Sequence, residues 1–248
     1  MNQHWQYAID DDDIGWLRLD YHGGSANVLS HAVLKELEAR IGEIEGSPPT
    51  GLLLASGKPK GFIAGADVNE FLEIETREAA EAHILWVHSL FRRIESLPCP
   101  SAALIHGFCM GGGLELALSC RYRIASDDPT TRLSFPEVRL GLFPGYGGSV
   151  RSMQRIGALK ALAMMLSGRS LTARQARRQG LVDWAVPERQ LLDAGVKILA
   201  EQPSPKVPDW TQRLANSTPL RPAVYWYFKR QTALRPYSPP SVTAANTG

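Results

Sequence analysis

The apolar positions of this chain change period several times, and each change marks a predicted element. Trp5–Ile9 and Ile14–Leu19 are short strand-like runs separated by Asp10, Asp11, Asp12 and Asp13, which predicts a β-hairpin. After Gly23 and Gly24, Ser30 stands where a helix cap is needed. Val33, Leu34, Leu37 and Ile41 follow at helical spacing until Gly46, Pro48 and Pro49 stop them. Residues 51–55 form a buried-strand run. The segment KPKGFIAGADVNEF reads as a glycine-rich loop entering a short helix, and 77–97 as a longer helix with Val87, Leu90, Phe91 and Ile94 on one face. Pro98 and Pro100 end that helix.

The alternation then recurs. A strand over 102–105 leads through HGFCMGGG into a helix beginning near Gly112. Strands over 122–125 and 132–135 flank the turn SDDPTT, and helices fill most of the sequence beyond Tyr146. Alternating strands and helices predict a layered α/β core. No repeat stands out at fixed spacing. The expected division is a core over 1–187, a helical segment over 188–235 and a tail over 236–248. The helical segment contains a proline-bearing break at 202–208 and aromatic-rich helices over 209–235. The tail lacks an apolar period and is expected to be mobile, or cut off from something larger.

Composition narrows the class. The 248 residues are 44% hydrophobic and 21% charged, which describes a folded chain rather than a disordered one. No run approaches the roughly 18 consecutive apolar residues that a membrane span requires, and the acidic cluster at 10–13 is unlike a signal peptide. Cys99, Cys109 and Cys120 lack CxxC spacing and read as small buried hydrophobes in a reduced, cytoplasmic setting. The six histidines show no HExxH or Cys/His cluster, so no metal site is expected. The net charge of +2 hides a split: 1–138 holds 11 basic and 20 acidic residues, whereas 139–248 holds 16 and 5. An anionic ligand suits the second part, although arginines such as Arg151, Arg155, Arg174, Arg177, Arg178 and Arg189 read first as solvated helix faces. Without interleaved aromatics or a nucleic-acid motif, nucleic acid is not an expected partner.

The candidate chemistry lies in the glycine-rich crossings. Gly111, Gly112 and Gly113 directly precede LELAL, so a helix start with unpaired N–H groups can approach a ligand closely. The loop Ala64, Gly65, Ala66 and Asp67 offers the same arrangement at another strand end, and two backbone donors meeting one carbonyl oxygen would form an oxyanion hole in outline. Glu115 sits in the first turn of an apolar helix, either as an acid favoured by the helix dipole or as a functional carboxylate. Glu137 lies between Pro136 and Val138, and spacing alone places it at the surface. GYGG at 145–148 lacks the dinucleotide spacing, and there is no Walker A lysine.

The ordered set GFIAGADVNEF, IHGFCMGGGLELALSC and LSFPEVRLGLFPGYGG resembles the crotonase superfamily of enoyl-CoA hydratases and isomerases over about residues 10 to 190. The resemblance implies a spiral of ββα units with C-terminal helices, assembled as a trimer or dimer of trimers. It further implies an acyl-CoA thioester substrate, with coenzyme A part of the substrate and no separate cofactor. Ala66 and Gly112 match the oxyanion-hole positions, Glu115 and Glu137 the two catalytic glutamates. Ala64, Gly65, Asp67 and Gly145 are then candidate substrate contacts, Gly145 as a positioner of water or as a tight turn.

The implied reaction adds water to a trans-2-enoyl-CoA in fatty-acid β-oxidation. Glu115, kept ionised by its helix-start position, would activate the water and Glu137 would protonate C2, with the roles exchangeable; isomerisation of 3-enoyl-CoA is a secondary expectation. SDDPTTRL and KRQTALRPYSPPSVTAA are similar to the amino-terminal part of fused fatty-acid oxidation enzymes, in which a 3-hydroxyacyl-CoA dehydrogenase domain follows. Either this chain is one part of such a protein or the downstream part is absent. GGSVRSMQRIG departs from the family's common Thr-Gln-Arg run, which bears on acyl-pocket shape. Two other readings stay open: another crotonase-type reaction such as thioester hydrolysis, and a non-catalytic acyl-CoA-binding module.

Overall fold

The computed structural model describes residues 3–72 and 74–204, with scattered positions between 219 and 230. The hairpin forms as expected, with β1 (Trp5–Ile9) antiparallel to β2 (Ile14–Leu19) and Asp10 closing the turn by accepting from the Ile14 N–H at 2.9 Å. Ser30 caps α1 (His31–Gly46), its hydroxyl accepting from the Val33 N–H at 3.3 Å, and Val33, Leu34, Leu37, Ile41 and Ile44 are buried along one stripe. Next come β3 (Gly51–Ser56), β4 (Gly61–Ile63), α2 (Val68–Leu72) and α3 (Arg77–Glu95). The sequence then repeats the pattern with β5 (Ser101–Ile105), β6 (Phe108–Met110) and α4 (Gly112–Ser119), and again with β7 (Tyr122–Ser126), β8 (Arg132–Ser134) and α5 (Gly148–Ile156). A 3-10 turn, Glu137–Leu140, lies between β8 and α5. The remaining elements are α6 (Ala158–Ser167), β9 (Leu171–Thr172), α7 (Ala173–Gln179), β10 (Trp184–Val186) and α8 (Leu191–Glu201).

Two sheets follow from this repetition. The larger has the order β1-β2-β3-β5-β7-β10 and the smaller β4-β6-β8-β9. The first strand of each unit therefore joins its counterparts in one sheet, the second strand joins the other sheet, and the chain advances as a spiral of ββα units. All neighbours are parallel except β1 with β2 and β8 with β9. β5 and β7 are buried along their whole length because both sheet faces are covered, as is most of β3, and they are mainly apolar, with Arg123 of β7 the charged exception. Leu52, Leu54, Ala103, Ile105 and Ala125 enter the core shared with α1, α3 and α4, while Leu53, Ala102, Leu104, Tyr122 and Ile124 pack on Leu191, Ala194, Ile198 and Leu199 of α8.

Several expectations need correction. The loops around GFI and FCM each contain a three-residue strand, too short to show alternation in sequence. Arg151 and Arg155 are not solvated: Arg151 pairs with Glu95 at 2.7 Å, and Arg155 pairs with Asp183, which also holds the buried Arg123 at 3.0 Å. Arg174, Arg177, Arg178 and Arg189 are exposed as expected. All three cysteines are free and buried, and desolvation pushes the thiols of Cys109 and Cys120 upward, in keeping with a packing role. Among the described residues no helix is long and apolar enough to cross a membrane. The helices expected over 209–235 and the tail over 236–248 lie largely outside the described residues.

Candidate active site

The site forms where consecutive ββα units place their crossings side by side. Asn27, fully buried, ties the first crossing together: its side-chain amide nitrogen donates to the carbonyls of Leu19 and Phe62, each at 3.0 Å, and its backbone carbonyl accepts from the Ala64 N–H at 2.8 Å. Leu29 then bridges this loop, donating to Gly65 O at 2.8 Å and accepting from the Asp67 N–H at 3.3 Å. Among the described residues the Ala66 N–H, between those two bonds, takes no backbone carbonyl, and neither does the Gly112 N–H at the start of α4. The two lie together. A Cβ added at Gly112 would stand 3.2 Å from the Ala66 nitrogen, and one added at Gly65 would stand 3.9 Å from the Gly112 nitrogen. Gly111, at φ +50°, makes the turn into α4 and lets a carboxylate approach, since a Cβ there would meet Glu137 Oε1 at 3.0 Å.

Glu137 is thus placed beside the glycine turn, and Glu115 lies in the first turn of the helix that follows it. Glu115 is 2% exposed, and its Oε1 accepts from the N–H groups of Tyr146 and Gly148, each at 2.8 Å. Gly148 has to be glycine here, because a Cβ would lie 2.5 Å from Glu115 Cγ. Burial, with a smaller push from Glu137, raises the Glu115 carboxyl to about 8 against the pull of both amides and of Arg151. The expectation that its helix-start position keeps Glu115 ionised is thus reversed, since loss of water outweighs the dipole. Glu137 corrects its surface assignment in the same way. The 3-10 turn folds it back against Gly111, its Oε2 is buried without a hydrogen-bond partner, and desolvation raises it to about 7. With both groups displaced toward neutrality, the couple can hold a proton that neither would hold in water.

The remaining candidates, Ala64, Gly65, Asp67 and Gly145, line the same crossings through local hydrogen bonds. Ala64 and Gly65 spend their backbone groups on Asn27 and Leu29, and Asp67 Oδ1 accepts from the Asn69 N–H at the start of α2. The Gly145 carbonyl accepts from His88 Nε2 at 2.7 Å. Asn27, His83, His88 and Tyr146 were not singled out from sequence. The Tyr146 hydroxyl bonds His83 Nε2 at 2.9 Å, and burial raises its pKa. His83, half-buried and close to His31, is shifted downward, chiefly by desolvation. Histidines on the helix otherwise marked by Val87, Leu90, Phe91 and Ile94 were the available signal.

A family model described as Enoyl-CoA hydratase/isomerase matches residues 21–218. The chain belongs to the enoyl-CoA hydratase/isomerase family. A fatty acid oxidation complex subunit alpha from Vibrio cholerae is 41% identical to this family member over 204 residues, covering 81% of the chain and 29% of the relative. A subunit alpha from Shewanella amazonensis is 44% identical over 199 residues, or 80% and 28%. The chain therefore spans under a third of the length of these relatives. Among solved structures, an enoyl-CoA hydratase from Bacillus anthracis superposes with a TM-score of 0.73 at 30% identity, covering 80% of this chain and 76% of that one. An enoyl-CoA hydratase from Mycobacterium smegmatis gives 0.75 at 25% identity, covering 81% and 76%.

Proposed function

We propose that this family member is an enoyl-CoA hydratase that adds water across the C2=C3 bond of a trans-2-enoyl-CoA, giving a 3-hydroxyacyl-CoA in fatty-acid oxidation. The observation that carries the reading is the convergence of the Ala66 and Gly112 amides with two carboxyl groups whose pKa values are raised to about 8 and about 7. The thioester oxygen gains negative charge as hydroxide bonds to C3, and two fixed N–H donors oppose that charge without any proton transfer. One carboxylate of the Glu115 and Glu137 couple takes a proton from the attacking water. The other, as the carboxylic acid, gives one to C2, so the product gains H and OH and the couple has exchanged its proton.

The two amides on Glu115 fix one of its oxygens and leave the other for water. The partnerless Oε2 of Glu137, beside Gly111, suits a proton shuttled to the acyl chain, and with the same hole it supports isomerisation of a 3-enoyl-CoA. Association with a 3-hydroxyacyl-CoA dehydrogenase domain belongs to the same proposal, supported by the likeness to complex alpha subunits of more than three times the matched length; a homotrimer or dimer of trimers and a cytoplasmic location are carried over from the sequence alone. Incubation of the chain with crotonyl-CoA and longer enoyl-CoAs, followed by loss of the conjugated absorbance, tests it. Hydration supports the reading. Release of free thiol points to thioester hydrolysis instead, and binding without turnover points to an acyl-CoA-binding module.

A further inference from the structure

Two hydrogen bonds of the site share one peptide group. His88 of α3 donates from Nε2 to the Gly145 carbonyl oxygen at 2.7 Å, and because that oxygen only accepts, Nε2 carries the proton. The carbonyl belongs to the same peptide unit as the Tyr146 N–H, which donates to Glu115 Oε1 at 2.8 Å. In a trans peptide the C=O and N–H point in opposite directions, so imidazole, peptide and carboxylate form one relay. A donor on the carbonyl end strengthens the N–H end. The second amide on Glu115 is served in the same way: the peptide of the Gly148 N–H has its carbonyl, Gly147 O, bonded by the N–H groups of Val150 and Arg151 at 3.2 and 3.0 Å. That support comes from the first turn of α5. The Gly145 carbonyl precedes the helix, and a side chain of α3 takes the place of the missing turn.

We propose that His88 is a positioning residue for the reaction: through the Gly145–Tyr146 peptide it fixes the direction and donor strength of the amide that holds the Glu115 carboxylate, and so sets that carboxylate's proton affinity. The proposal rests on Glu115 being a catalytic carboxyl. α3 grips the same loop at further points. His83 bonds the Tyr146 hydroxyl, Phe91 meets the Tyr146 ring edge-on at 6.1 Å, and Glu95 holds Arg151, whose Nη1 donates to Tyr146 O at 3.0 Å. The other groups felt by Glu115 are Glu137 of the 3-10 turn, which raises its proton affinity, and Arg151 of α5, which lowers it. The hydroxyl of Tyr146 lies on the loop itself. None of these acts through the Gly145 carbonyl, so the effect of His88 is separable from theirs.

The test compares His88→Leu, which removes the donor, with His88→Gln, whose side-chain amide N–H can replace Nε2–H. The 13C signal of the Glu115 carboxyl, assigned by its loss in Glu115→Gln, is titrated in the full chain, and kcat and KM for crotonyl-CoA are followed against pH. His88→Leu should move the Glu115 titration up by about half to one pH unit and lower kcat about three- to tenfold with KM unchanged. His88→Gln should restore both. A wild-type titration in His88→Leu overturns the proposal, as does a Gln variant that titrates like Leu. If His88→Leu does not fold, His88→Asn, too short to reach the carbonyl, takes its place against Gln. Absence of hydration by the unmutated chain would overturn the functional reading alone, since the carboxyl titration needs no turnover.

Discussion

Replacing Glu115 by glutamine should make the protein a poorer catalyst and, in alkaline solution, a more stable one. In the fold the carboxyl titrates at about 8, compared with 4.5 for an unburied glutamate. An acid whose folded pKa is raised contributes its full stability below the unfolded pKa, and loses it as the pH rises from about 4.5 to about 8. That window corresponds to about 5 kcal/mol. Glutamine never ionises, and its carbonyl can still accept from Tyr146 and Gly148, but its NH2 adds a buried donor that costs about 1–3 kcal/mol if unmet. The variant should therefore be about 1–3 kcal/mol less stable than the parent near pH 4 and about 2–4 kcal/mol more stable near pH 9. Urea unfolding at pH 4, 6, 7.5 and 9 measures the difference, and hydration of crotonyl-CoA should fall about 10²- to 10⁴-fold at the same time. A stability difference that stays constant across this range would refute a buried, proton-holding Glu115.

Three further outcomes follow from the same geometry. Glu137→Gln should also lower hydration by about 10²- to 10⁴-fold while leaving acyl-CoA affinity, read by calorimetry, nearly unchanged; turnover close to the parent's would remove Glu137 from the proton path. Gly148→Ala drives a methyl to within 2.5 Å of Glu115 Cγ, so kcat should drop sharply and stability by about 1–3 kcal/mol, and an unaltered kcat would show that the carboxylate is not held where the structure puts it. Asp183→Ala strands Arg123, itself 2% exposed, and should cost about 3–5 kcal/mol in denaturant unfolding; a loss under about 1 kcal/mol would contradict the buried pair.

What could be read from sequence was whatever had a local cause. Ser30 followed by the stripe from Val33 to Ile41, and the acidic turn between two apolar runs, each announce an element within a few residues. The three-residue strands β4 and β6 carry no such signal, because their pairing is with each other across 40 and more positions of chain. The ββα alternation shows in the sequence but not as a repeat of fixed length, for a related reason. The first unit holds α2 and α3 between its strands and the next, so the units differ in length although their strands align.

The site shows the same division. Ala66, Gly112 and Glu115 stand in glycine-rich crossings whose backbone requirements are visible locally. Glu137 looked exposed because its burial depends on Gly111, far away in the chain, and the ionisation of Glu115 was misjudged because its helix start is visible in sequence whereas its desolvation is not. The hold of Asn27 on the Ala64 loop and that of His88 on Gly145 are contacts between distant segments, which no spacing encodes.

The most direct measurement is the structure of this chain with a non-hydratable acyl-CoA thioester bound. The thioester oxygen should lie about 2.7–3.1 Å from both the Ala66 and Gly112 nitrogens, with Glu115 and Glu137 flanking the C2 and C3 atoms. A carbonyl directed away from those two amides, or acids on unrelated sides of the acyl chain, would contradict the account.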